Sequence, residues 1–214
     1  MSIEPLTRAR RREMTRRHLL DAAALVFARE GFHRASLDDV AATAGFTKGA
    51  VYSNFANKDE LFLAVFEDRY AQEQTEMRRV LTEDEQPYEL GDHSEVFNRV
   101  RSVIDRTWDD DWTALYLEFV LYARRNADAA QKLAEVVQRQ REMTTKMLED
   151  AYESVEYEPD LPVEVIATIS VALFDGLALG RLADPRVFDD AMLTHFLDFT
   201  IASIGANRLP EDDG

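Results

Sequence analysis

The chain has 214 residues, 41 acidic against 25 basic side chains, and a formal net charge of −16. It holds no Cys, which excludes a disulfide framework and thiolate metal sites. Its four His (His18, His33, His93, His195) lack metal-ligand spacing, and no apolar leader opens the sequence.

The acidity is one-sided. Residues 1–62 carry ten Lys or Arg and eight Asp or Glu, a net of +2, whereas residues 63–214 carry a net of −18. Within the first part, "RARRREMTRR" (Arg8 to Arg17) holds six Arg against Glu13 alone. Such an arm, assigned to residues 1–14, reads as a nucleic-acid footprint or as a solvated charged tail.

The periodicity predicts helices almost throughout. Leu19, Ala22, Ala23, Val26 and Phe27 fall on one helical face, and Gly31 is expected to end that helix. Ser36 and Asp39 form a capping-box start for a second helix, whose inner face is Leu37, Val40, Ala41 and Ala44 and whose end is Gly45. Thr47 opens a third short helix with Val51 and Phe55 inward. Asn57 and Glu60 open a fourth that runs to about Leu81. Asp84 to His93, with Pro87 and Gly91, reads as a loop. Further helices are expected over Ser94–Trp108, Asp111–Arg124, Ala127–Val155, Pro162–Leu182 and Arg186–Ala206. The most apolar stretch, Val165 to Phe174, is too short to span a bilayer, so a cytoplasmic protein is expected.

Two residues sit awkwardly in this plan. Gly49 weakens a short helix by about 1 kcal/mol relative to Ala. Lys58 places a cation at the positive end of a helix, at a cost of a few tenths of a kcal/mol or so. Both make sense if the helices around them meet DNA. Two short helices joined by a Gly-containing turn, behind a longer support, form a helix-turn-helix over residues 36–55. A backbone without a side chain at Gly49 approaches DNA closely, Ala50 offers a methyl to thymine, and Lys48 and Lys58 supply charge.

The stretch "LLDAAALVFAREGFHRASLDDVAATAGFTKGAVYSNFANKDELFLAVFE", Leu19 to Glu67, resembles the DNA-binding domain of the TetR family of transcriptional regulators. The resemblance implies an all-α chain with a helix-turn-helix domain over 15–62 and a larger helical ligand-binding and dimerisation domain over 63–214. It implies phosphate contacts from Ser36, Thr47, Tyr52 and Lys58 and base-edge contacts from Thr43, Lys48, Gly49, Ala50 and Ser53. Ser36 and Thr47 read equally as helix caps, and Tyr52 as a packing aromatic. A ligand that moves the fourth helix is also implied.

Beyond residue 63 the composition suggests candidates only. Phe97, Trp108, Trp112, Tyr116, Phe119, Met143, Met147 and Phe174 could line an apolar effector cavity or form plain core. Arg101, Asp105 and Asp175 are candidate polar anchors or surface ion pairs. The small residues Ala172, Gly176 and Gly180, with Phe196 on the last helix, form a candidate homodimer surface. No enzyme motif, cofactor or metal site is expected. The function expected is a dimeric repressor that binds a palindromic double-stranded operator and is released by a small, largely apolar effector. The alternatives are a helical carrier or enzyme with a vestigial helix-turn-helix, and an acidic interaction module.

Overall fold

A computed structural model describes residues 7–82, 98, 100–104, 109–154, 158–189 and 191–197. No strand occurs among the described residues. Seven helices have defined bounds: α1 (Arg8–Arg34), α2 (Leu37–Ala44), α3 (Lys48–Tyr52), α4 (Lys58–Thr82), α5 (Asp110–Ala123), α6 (Ala127–Ser154) and α7 (Val163–Ala183). Residues 100–104 and 191–197 are also helical. The chain forms two compact units, one from 1–69 with 114–136, the other from 70–113 with 137–214.

In the first unit, helix starts follow from local side-chain acceptors. Thr7 Oγ1 accepts from the Arg10 N–H (3.3 Å), so α1 begins at Arg8 and the segment from Arg8 to Met14 is helical. Ser36 Oγ accepts from the Asp39 N–H (3.2 Å) and Thr47 Oγ1 from the Ala50 N–H (3.2 Å). Asn57 Oδ1 accepts from the Glu60 N–H (2.9 Å) while the Glu60 carboxylate accepts from the Ala56 N–H (2.9 Å). Each acceptor satisfies a donor that a helix start leaves orphaned. Gly45 closes α2 at φ +71°, a left-handed conformation that glycine adopts without steric cost.

Gly31 breaks α1 at φ +76°, but a further helical turn, Phe32–Arg34, follows it. That turn is held from two sides. The Lys58 ammonium donates to the carbonyls of Phe32 (2.8 Å), His33 (3.1 Å) and Ala35 (3.1 Å). Glu118 of α5 accepts from the Phe32 N–H (3.0 Å). A Cβ at residue 31 would lie 3.1 Å from the Glu118 carboxylate, so the missing side chain also gives that carboxylate room.

Around the clamp lies an aromatic core. The Phe119 ring stacks on Phe62 at 4.6 Å and meets Phe32 edge-on at 4.9 Å; Phe27 meets Phe62 edge-on at 5.2 Å. All four rings are essentially sealed from solvent. Such pairs add about 0.5–1.5 kcal/mol each beyond their buried area. Tyr122 extends the set: its hydroxyl donates to Asp59 (3.1 Å) and accepts from Asn126 (2.9 Å), whose Oδ1 in turn caps α6 through the Ala129 N–H (3.1 Å).

The second unit has two apolar clusters. Val100, Ile104, Leu177, Leu193 and Leu197 form one, flanked by Phe174, Phe188 and Phe196. Met147, Leu148, Tyr152 and Ala167 form the other, and Met77 of α4 packs against both. Tyr70 and Thr144 join α4 to α6 at 2.6 Å, and Arg78 pairs with Asp150 at 2.8 Å. The last helix starts later than Arg186. Asp184 binds the Arg186 guanidinium (2.9 Å) in a turn, and Asp189 accepts from the Met192 N–H (2.9 Å), so the cap lies at Asp189. Taken whole, the 21-residue α7 is long and apolar enough, by length and composition, to cross a membrane. The apolar run Val165 to Phe174 alone is not. The loop 84–93, most of Ser94–Trp108 and the chain beyond Leu197 lie outside the described residues.

The clamp predicts a stability effect. Replacing Lys58 by Met leaves three carbonyls without their donor, and hydrogen bonds to a charged group contribute about 1.5–3 kcal/mol. Urea unfolding of Lys58→Met is expected to show about 2 kcal/mol of lost stability. An unchanged midpoint would mean that the ammonium does not hold the α1 end.

Candidate DNA-binding surface and regulatory residues

Helix α3 has five residues, too few to be stable alone. It is held by its inner face, where Val51 and the following Phe55 are buried. The Arg16 guanidinium lies 4.4 Å from the Phe55 ring centroid, tying α1 to the end of the motif. With the inner face fixed, the opposite face is presented outward. Thr43, Thr47, Lys48, Gly49, Tyr52 and Ser53 are all exposed, and Ala50 and Ser36 are half-buried.

Several of these side chains have structural duties as well. Thr47 and Ser36 are helix caps, as above. The Ser53 hydroxyl donates to the Ala50 carbonyl (2.9 Å), beside Asn54 Nδ2 on the same oxygen (2.8 Å). Tyr52 is 57 % exposed, so its ring is not a packing element of the core. Gly49 meets nothing but Thr47 Oγ1, 3.8 Å from where a Cβ would sit; the fold itself does not require glycine there.

Lys48 pairs with the exposed carboxylate of Asp38 across the turn, and this hydrogen bond holds its ammonium pKa above the usual lysine value. Lys58, expected at a phosphate, also serves the fold. Its three N–H donors meet the three carbonyls at the α1 end, and burial lowers its pKa. Arg8, Arg10 and Arg12 are exposed on the first turns of α1, with no acidic residue in the first turn to offset them. Arg17 is tied to Asp68 (2.6 Å).

A short recognition helix on a rigid three-helix support, with polar side chains and a bare backbone outward, suits insertion into a DNA major groove. The sequence comparisons agree. Residues 19–65 match the model for bacterial regulatory proteins of the tetR family, and residues 97–206 match that for the C-terminal part of BetI-type transcriptional repressors. The chain belongs to the TetR family. It is 30 % identical to the HTH-type transcriptional regulator UidR of Escherichia coli strain K12, over 89 % of this chain and 91 % of UidR. It is 27 % identical to the HTH-type transcriptional repressor Rv1474c of Mycobacterium tuberculosis, over 88 % of this chain and 92 % of that one. In fold it is similar to the transcriptional regulator FadR of Bacillus subtilis, solved in complex with stearoyl-CoA, with a TM-score of 0.60 at 19 % identity, over 88 % of this chain and 98 % of FadR. This TetR-family chain is thus a DNA-binding transcriptional regulator.

The candidate effector residues that are described fall in both units. Phe97, Trp108 and Asp105 lie outside the described residues. Trp112 sits at the start of α5, its backbone N–H donated to Asp109 (3.1 Å). Tyr116 stacks on Phe66 at 4.6 Å, and Phe119 is core, both in the first unit. In the second unit Met147 belongs to one cluster, Phe174 to the other, and Met143 is exposed. Arg101 donates to Thr194 (2.9 Å). Of the small residues on α7, Ala172 and Gly176 are exposed, whereas Gly180 is occupied within the chain: a Cβ there would lie 2.5 Å from the Phe188 ring. Phe196 is spent partly on an edge-on contact with Phe174 at 5.1 Å.

Gly49 separates fold from function. Gly49→Ala adds a methyl in open space and removes a helix-weakening residue, so stability should hold or rise by up to about 1 kcal/mol. Duplex affinity should fall about tenfold, equivalent to about 1.4 kcal/mol. Fluorescence anisotropy with a labelled operator, beside thermal unfolding, checks both; unchanged affinity would remove Gly49 from the contact surface.

Proposed function

We propose that this TetR-family chain is a cytoplasmic, non-enzymatic repressor that binds a palindromic operator as a homodimer and leaves it when a small molecule binds. The exposed face of α2 and α3 carries this reading: Thr43, Thr47, Lys48, Gly49, Tyr52 and Ser53 are exposed on helices whose inner residues, Leu37, Val40, Ala41 and Val51, are buried. Charge distribution supports the orientation. A net of −18 over residues 63–214 repels phosphates, so the mildly basic N-terminal part is the part that can approach a duplex.

The dimer reading rests on α7. Val165, Ile169 and Leu179 are 43 %, 48 % and 50 % exposed, and with Ala172 and Gly176 they recur every three or four residues along one helical stripe. An exposed apolar stripe of this length, with small residues at its middle, fits a helix of a second copy. The release step is supported by FadR, whose similar fold is known with stearoyl-CoA bound. A ligand displaces DNA tenfold only if it binds the DNA-incompetent state about 1.4 kcal/mol better.

Gly176→Leu tests the assembly with little interference from the monomer, because a Cβ at this position meets no atom of its own chain within 4 Å. Sedimentation velocity at micromolar concentration should give a dimer for the wild type and a monomer for the variant, with helical content retained. Operator affinity should fall with dimerisation. A wild-type monomer that binds duplex as tightly as expected of a dimer would overturn the proposal.

A further inference from the structure

Helices α4 and α6 meet in the second unit through a polar contact as well as through apolar side chains. Tyr70 and Gln74 are one turn apart on α4, and Gln140 and Thr144 are one turn apart on α6. They are joined at their centre by the 2.6 Å contact between the Tyr70 and Thr144 hydroxyls. The Thr144 hydroxyl donates its one proton to the Gln140 main-chain carbonyl (3.1 Å). Tyr70 must therefore donate to Thr144, and its own oxygen is left as an acceptor.

Two further groups on this strip are sealed and unmatched. Gln140 is 7 % exposed, and its Nε2 has no hydrogen-bond partner among the described residues. Gln74 Oε1 is likewise buried without one. A buried donor or acceptor left unmade costs about 1–3 kcal/mol. A fold under no other demand would place apolar side chains at both positions. One turn further along the same two helices, Met77, Met147 and Leu148 belong to an apolar cluster with Tyr152.

We propose that Tyr70, Gln74 and Gln140 form the polar anchor of the effector site, and that the effector carries an uncharged hydroxyl or carboxamide group on an apolar body. This deepens the regulator reading and rests on it. An amide donor, an amide acceptor and a phenol oxygen together match a group that both accepts and donates. None of them carries charge to neutralise a carboxylate, a phosphate or an ammonium. Burial pushes the Tyr70 pKa up to about 12, helped by the charges of Asp175 and Glu73, so the phenol stays protonated. The same two carboxylates oppose an anionic ligand.

Four probes that share a ten-carbon chain and differ in the head group test this: decan-1-ol, decanamide, decanoate and decylammonium. Binding to the full-length protein is measured at pH 7 by calorimetry, with thermal unfolding of each variant alongside. Decan-1-ol and decanamide should bind the wild type at least tenfold tighter than the two charged probes. Gln140→Met and Gln74→Met should each erase that preference. Both variants should unfold at or above the wild-type temperature, because an unmatched buried amide is replaced by an apolar chain of similar shape. Absence of the head-group preference, its survival in both variants, or a lowered unfolding temperature in both would overturn the assignment. The regulator reading is separated by a duplex-binding arm without ligand. Loss of duplex binding in the wild type would refute the regulator and leave the head-group result to stand. Duplex binding without head-group preference would do the reverse.

Discussion

The chain end of α1 is the constraint on which the DNA-binding head depends. Gly31 interrupts the helix, and the turn that follows leaves carbonyls and an N–H exposed to the interior. Lys58 takes the carbonyls of Phe32, His33 and Ala35, and Glu118 takes the Phe32 N–H. These two opposite charges come from α4 and α5, so three helices meet at one short piece of backbone. The buried rings of Phe27, Phe32, Phe62 and Phe119 lie in the core of the same unit. Helix α3 contributes little stability of its own; five residues cannot offset the cost of helix nucleation. It is held by Val51 and Phe55, and of its outer face only the Thr47 cap and the Ser53 hydroxyl also serve the fold.

That division explains why the helix can carry Gly49 and why Lys48 rests against Asp38. An exposed ion pair contributes 0–1 kcal/mol or so to stability. It is easily exchanged for a phosphate or a base edge. The Asp38 carboxylate also lowers the net charge of the surface, so affinity at that position depends on how far Lys48 turns away from it. Lys58, in contrast, donates to three backbone carbonyls.

Much of the head was legible in the sequence because its signals are local. Ser36, Thr47 and the Asn57–Glu60 pair act within three or four residues of themselves, and each caps the helix expected of it. Gly45 closes α2 as its position suggested, and Val51 and Phe55 are inward as periodicity requires. The structural duty of Lys58 is not legible in the sequence, because its partners are carbonyls more than twenty residues away and backbone acceptors leave no trace in side-chain identity. The same limit hid Glu118. The start of the last helix was misplaced because periodicity runs through Arg186, whereas the deciding cap is Asp189. In the effector region, aromatic content located apolar surface but not its grouping. Phe119, Met147 and Phe174 all pack, each against different neighbours. The small-residue spacing of α7 does not tell that Gly180 faces the Phe188 ring of its own chain.

In the proposed dimer, two copies of this head read one duplex with two-fold symmetry. Selection of duplexes from a random-sequence pool by the purified full-length protein, at several salt concentrations, tests it most directly. The account predicts enrichment of an inverted repeat whose half-sites lie about one helical turn, some 10 base pairs, or a multiple apart. It also predicts affinity that falls steeply with salt. No enriched motif, or a motif without two-fold symmetry, would contradict it.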